Sequence, residues 1–318
     1  MLGPLLFAWL VYSIRGQVLR QPHLAASWKE ISAAFTSGQA LYLGAIILLM
    51  GVNWGLEAAK WRLLVAPVQP IGFWHALRAV LSGVSFSVTM PNRIGEYLGR
   101  MLYLPEGKRL RIIALTLVGS LAQLLITLWV GTASVLILKG RLISSGLVHP
   151  LAWQFGFFGL LAITLALTIF YCSVSVFERW LERITNRASW IYLVEALQEF
   201  GMQRLGRLLL LSGARYAVFV IQYVLAFHLF GVVVSLPVAA VVMGAVFLAL
   251  AIIPSVVLLE VGIRGQVSLQ LIGLFSANSL GILLSSVSIW FINLVVPALA
   301  GSLLILGIKI FKQRYEER

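Results

Sequence analysis

The stretch Met90-Pro91-Asn92-Arg93-Ile94-Gly95-Glu96 sets a proline, a glycine and two opposite charges inside apolar sequence. Pro91 removes a backbone donor and breaks a helix. Arg93 and Glu96 stand three apart and can pair if the chain after Pro91 is helical. A charge at the bilayer centre costs about 2.5–3.5 kcal/mol on insertion scales, so two such groups should face each other or a wet cavity. The planar fork of Arg93 suits an anionic group such as a lipid phosphate. A structural Arg–Glu pair that fixes the segment is the plainer reading, and the two are compatible. Gly95 and Gly99 permit close backbone approach, and Gly-x-x-x-Gly spacing suits helix packing. A second stretch, Pro254 to Gly265, again carries proline, glycine and charge, with Glu260, Gly262, Arg264 and Gly265 in its latter half. If the two tips approach the midplane from opposite sides, Arg93, Glu96, Glu260 and Arg264 form one site with no net charge.

Other polar residues are weaker candidates. Arg215 falls about 7 residues into an apolar run, roughly 10 Å deep at 1.5 Å per residue. It either lines the same cavity or snorkels to the interface beside Arg207. Asn53 and Gln222 read as interhelical hydrogen-bonding residues before cavity residues. Glu57 and Lys60, three apart, read as a surface pair. The four histidines lack metal-ligand spacing, Cys172 reads as packing, and all eleven acids are Glu. No metal, ATP or other cofactor site is expected: the sequence has no Gly-Lys-Ser/Thr phosphate loop, nucleophile elbow or His-Glu-x-x-His.

The elements that hold these residues must be membrane helices. Of 318 residues 60% are apolar and 11% charged, where a soluble domain carries roughly 25% charged residues. That excludes a water-soluble fold. The formal charge is +13, but the basic residues cluster between apolar runs, which is the pattern of membrane loops and not of a nucleic-acid face. An all-α polytopic protein is expected, one membrane domain over residues 1–318. Six spans qualify by length: 2–19, 39–59, 112–138, 149–176, 208–230 and 280–308. The first reads as a retained helix, not a removed signal. Segments 71–104 and 236–278 read as re-entrant hairpins broken at the two charged stretches, because non-helical backbone at membrane depth survives only inside protein or beside water. With this topology fifteen Lys and Arg fall on the side of both termini and five on the other, which predicts cytoplasmic termini.

The chain also repeats weakly. Trp28 answers Trp190, Gly51-Val52-Asn53-Trp54 answers Gly213-Ala214-Arg215-Tyr216, and Pro91 answers Pro254, at offsets of 162, 162 and 163. The halves are 1–140 and 149–318, each with an amphipathic interfacial segment, 24–38 and 188–206. Three full spans per half make the second half inverted. Interrupted segments at matching places in inverted repeats point to a site near the midplane.

Pro91-Asn92-Arg93-Ile94-Gly95-Glu96 followed by Arg100 resembles the Pro-x-Arg-x-Gly-Glu motif of the lysylphosphatidylglycerol synthase transmembrane-region family, the flippase-like membrane proteins. Glu260-x-Gly-x-Arg-Gly resembles that family's second motif. In multiple peptide resistance factors this region is fused to a cytosolic aminoacyl-transferase domain, and the fused protein makes an aminoacylated phospholipid and moves it outward. The resemblance implies a lipid-handling domain of the bacterial inner membrane. It implies that Arg93, Glu96, Glu260 and Arg264 lie in or near the cavity of that domain. Residue reading and resemblance together give a candidate headgroup site of Pro91, Asn92, Arg93, Gly95, Glu96, Arg100, Arg215, Pro254, Glu260, Gly262, Arg264 and Gly265. No synthase domain is found in these residues, so lysine transfer is not expected. The function expected is translocation of a phospholipid or other anionic lipid between leaflets, most readily an anionic phospholipid. The alternatives are an intramembrane enzyme using Glu96 or Glu260, and a membrane partner of a separate synthase that docks on the basic loop 178–207.

Overall fold

A computed structural model describes residues 39–88, 95–103, 109–173, 201–253 and 257–316, with side chains described at all of these but 109–112, 114, 257–260 and 307–316. The chain is all-helical, with no strand among the described residues. Its helices in chain order are α1 (Ala40–Val65), α2 (Phe73–Ser87), α3 (Gly95–Met101), α4 (Arg109–Ile137), α5 (Lys139–Ser144), α6 (Pro150–Cys172), α7 (Met202–Leu229), α8 (Leu236–Ile252), α9 (Val257–Ile272), α10 (Ser279–Trp290) and α11 (Val296–Glu316). A single π-turn, Phe291–Val295, joins α10 to α11. Among the described residues five helical stretches are long and apolar enough to cross a membrane: Ala40–Val65, Leu115–Ile137, Pro150–Cys172, Met202–Leu229 and Ser279–Leu306. They correspond to five of the six expected spans. The sixth, 2–19, lies outside the described residues, as do the amphipathic segment 24–38 and most of 188–206.

Two helix ends differ from expectation, and both differences matter for the site. The span expected at 39–59 runs on to Val65, because Trp61, Leu63, Leu64 and Val65 continue its apolar surface past Lys60. The span expected from 208 starts at Met202, so Arg204 and Arg207 belong to a helix and not to a loop. The broken segments are also shorter than expected. Helix resumes at Val257, so Glu260, Gly262, Arg264 and Gly265 are helical residues and not part of an irregular tip.

Local chemistry explains several ends. Pro150 begins α6, with His149 Nδ1 accepting from Leu151 N–H at 3.3 Å. Asn278 caps α10 by accepting from Gly281 N–H at 2.9 Å, while its amide donates to the carbonyls of Phe230 and Gly231. That ties the start of α10 to the end of α7. Buried apolar residues form two clusters. One gathers Trp61, Val80, Val84, Leu115, Leu205, Val261 and Trp290; the other gathers Ile46, Tyr223, Phe227, Met243, Val246 and Ile282. Only 11% of the α6 span is buried, which makes it a peripheral helix with a lipid-facing surface. It is held to α4 by Thr132–Thr164 and Trp129–Thr168 hydrogen bonds at 3.3 and 3.0 Å. Cys172 is exposed at its end and does not pack as expected.

The closest helix partnership is α1 with α7. They run antiparallel: Tyr42 stacks on His228, the Ile46 carbonyl accepts from Gln222, Asn53 meets Arg215, and Leu64 shares a cluster with Leu205. Asn53 and Gln222 thus make the interhelical hydrogen bonds their types suggest. Around this pair, α2 packs on α3 and on α11, while α8 packs on α9 and on α4. Glycines set these crossings. A Cβ on Gly301 of α11 would collide with the Leu81 carbonyl of α2, and one on Gly131 of α4 would meet Leu248 of α8 at 2.6 Å. Helix starts recur at regular spacing: Ala40 and Met202 are 162 apart, Phe73 and Leu236 163, Gly95 and Val257 162.

Candidate functional site

A single carboxylate organises the polar interior. Glu57 lies on α1, 17 residues past Ala40 and 8 before Val65; at 1.5 Å per residue that is about 26 Å and 12 Å from the two ends. Three cations converge on it. Lys60 Nζ, one turn along the same helix, stands 2.7 Å from Oε2. Arg215 Nη1, from the middle of α7, donates to Oε2 at 2.6 Å. Arg100 Nη2, from α3, donates to Oε1 at 2.9 Å and reaches Glu96 Oε2 at 3.4 Å. Glu57, Lys60 and Arg100 are 5%, 3% and 3% exposed. Glu57 and Lys60 are therefore not the surface pair that their spacing suggested. Lys60 also leaves the count of loop cations, without changing which side is richer.

The cluster extends by amides. Arg215 Nε donates to Asn53 Oδ1 at 2.7 Å, and Asn53 Nδ2 donates to Asn293 Oδ1 at 3.2 Å. Asn293 sits in the π-turn and anchors itself by donating to the Ile289 carbonyl. Such turns project a side chain that a regular helix would aim elsewhere, and they recur at functional sites. The Arg215 guanidinium carbon lies 5.1 Å from the Trp54 ring centroid and 5.8 Å from that of Phe219, within cation–π range. Arg215 is thus a member of the cluster and does not snorkel.

Glycines deliver Arg100. A Cβ on Gly99 would lie 2.5 Å from Gly83 Cα and N and from the Ser82 carbonyl, and one on Gly83 would lie 2.8 Å from the Glu96 carbonyl. Gly95 closes against the Phe86 carbonyl. The short arm α3 therefore lies backbone to backbone on α2, as Gly95 and Gly99 led one to expect.

Of the residues expected at the site, Glu96, Arg100 and Arg215 come together around Glu57, and Gly95 seats their support. Arg264 reaches the Tyr223 hydroxyl at 3.4 Å on α7, two turns beyond Arg215. A Cβ on Gly265 would meet Leu283 at 3.1 Å, while one on Gly262 would have open space around it. Pro91, Asn92, Arg93 and Pro254, and the side chain of Glu260, lie outside the described residues. Sequence reasoning undervalued Glu57 and Lys60 and passed over Asn293. The available signal was that apolar sequence continues past Lys60, which puts both charges inside the span, where an ionisable residue is a functional candidate by default.

A family model, lysylphosphatidylglycerol synthase TM region, matches residues 1–301. The chain belongs to this family. It is accordingly a multi-pass membrane protein, as its apolar helices independently require. The match takes in every residue of the Glu57 cluster, so the cluster belongs to the family region and not to an appendage. No individual curated protein matches the chain. No group of three or more His, Cys or Glu suited to a metal occurs among the described residues.

Proposed function

We propose that this chain is a translocase of anionic phospholipid in the bacterial inner membrane, with both termini cytoplasmic and the Glu57 cluster as its headgroup site. The observation that carries the reading is a surplus of positive charge at membrane depth. Among the described residues, Lys60, Arg100 and Arg215 face Glu57 and Glu96, three cations against two carboxylates. Buried ion networks are a poor way to hold helices together, since apolar residues of similar volume often serve stability as well or better. A network of five ionisable groups inside a membrane protein is better explained by what it binds. Arg100 and Arg215 supply forks suited to a phosphate, and Lys60 a point charge.

The reading includes an inverted repeat. Asn53 and Arg215 stand at the same place in the two halves, 162 residues apart, and they bond to each other. Contact between equivalent positions is what a two-fold axis produces. An axis between antiparallel α1 and α7 would run through the site itself. The reciprocal packing of α2 on α11 and α8 on α4 fits the same axis. In this scheme α2–α3 and α8–α9 are the two hairpins, opening toward opposite faces. Alternating access would then expose one cluster to each leaflet in turn.

The test is headgroup transfer by the purified chain in proteoliposomes, with labelled lipids of three charge types in otherwise identical vesicles. An anionic phosphatidylglycerol label should cross leaflets at least about tenfold faster than cationic or zwitterionic labels, a difference of roughly 1.4 kcal/mol in barrier. Equal rates for all three, or no transfer, would contradict the assignment. An altered lipid product in the same vesicles would favour an enzyme instead.

A further inference from the structure

We infer that Glu57 is a resident counter-anion, seated where a phosphate group binds, and that ligand enters by exchanging phosphate for carboxylate on Arg100 and Arg215. This rests on reading the cluster as an anion site. Both carboxylate oxygens of Glu57 are occupied, Oε1 by Arg100 and Oε2 by Lys60 and Arg215. The three donors come from separate places: Lys60 from Glu57's own helix, Arg100 from α3 and Arg215 from α7. Lys60 can stay with Glu57 through any rearrangement. Arg100 and Arg215 are the pair that can be handed to another oxyanion.

Arg100 is also under-used. Its Nη2 serves both Glu57 and Glu96, while its Nε is buried with no hydrogen-bond partner among the described residues. An arginine fork bonds best when two parallel N–H groups meet two oxygens of one anion. A phosphate bridging Nε and Nη2 of Arg100 would satisfy that idle donor; Glu57, which meets Arg100 through one oxygen, does not. Among the described residues Glu96 has the most exposed side chain of the ion pairs, at 24% against 13% or less for the others. The edge beside Glu96 is therefore where an anion would come in.

An internal competitor lowers anion affinity and speeds release. Removing its charge should do the opposite of removing a binding residue: anion binding tightens while transfer slows. The experiment titrates labelled phosphatidylglycerol against the full chain in zwitterionic nanodiscs, with inorganic phosphate as competitor. The variants are Glu57→Gln and the double Glu57→Gln/Lys60→Gln. The double variant retains an excess of one cation, Arg100 and Arg215 against Glu96, and serves if the single one does not fold. About tenfold tighter binding is expected in either. If inorganic phosphate does not compete, the exchanged group is a lipid headgroup; if it does, free phosphate shares the site. Unchanged or weaker binding in both variants, while Arg100→Gln still loses binding, would overturn the exchange and leave the anion site standing. Binding that is also indifferent to Arg100→Gln would overturn the anion site itself.

Discussion

Glu57→Ala is expected to destabilise the protein by about 3–5 kcal/mol, the scale on which removing one partner strands buried charges. The loss comes less from missing attraction than from what stays behind. Lys60, Arg100 and Arg215 would be left at membrane depth with, among the described residues, Glu96 alone in reach of one of them, and their desolvation would go largely uncompensated. A surface pair is worth about 0–1 kcal/mol, so magnitude alone separates the two views of Glu57. Unfolding of the purified protein in mixed micelles measures it. A loss under about 1 kcal/mol would restore the surface-pair view. A double-mutant cycle with Arg215→Leu adds a second reading. Because the two side chains bond at 2.6 Å, the combined loss should fall short of the sum of the single losses by about 0.5–3 kcal/mol. Strict additivity would mean that the pair does not act as one unit.

The glycines of the two charged motifs look alike in sequence and should behave oppositely. Gly99→Ala is expected to cost about 1–3 kcal/mol, as overpacking does, because its methyl would stand 2.5 Å from backbone atoms of α2. Backbone cannot swing aside as a side-chain tip can. The arm α3 would lift and carry Arg100 off Glu57, so headgroup transfer should fall along with stability. Gly262→Ala meets nothing within 4 Å and lies inside α9. It should be neutral or gain up to about 1 kcal/mol from helix propensity. Thermal unfolding and transfer of the two variants check this side by side. Equal damage at both positions would contradict the packing described for α2 and α3.

The fold was legible in sequence wherever composition dictates it. Five spans and the helix ends at Ser87 and Ile252 follow from apolar length, proline and glycine. Helix ends are less legible, because a charge at the end of an apolar run reads as contact with water. At Lys60 it was instead a sign of a partner, and α1 continues to Val65. The same inference hid Glu57. Its importance depends on Arg100, 43 residues away, and on Arg215, 158 residues away, and no local pattern registers such distances. Arg215 was more visible because it stands inside an apolar run. Asn293 gave the least warning, since a π-turn inside an apolar run carries no turn residue to mark it.

The central claim is that cations gathered on Glu57 receive an anionic headgroup within the membrane. The most direct measurement is leaflet transfer of labelled phosphatidylglycerol by the parent and Arg100→Gln proteins, matched for amount and for monodisperse reconstitution. Arg100 bonds Glu57 from a separate element, and its buried Nε has no hydrogen-bond partner among the described residues. Its loss should slow transfer by about 100-fold, in line with roughly 3 kcal/mol for a charge-assisted contact. Transfer at the parental rate by a folded Arg100→Gln protein would contradict the claim.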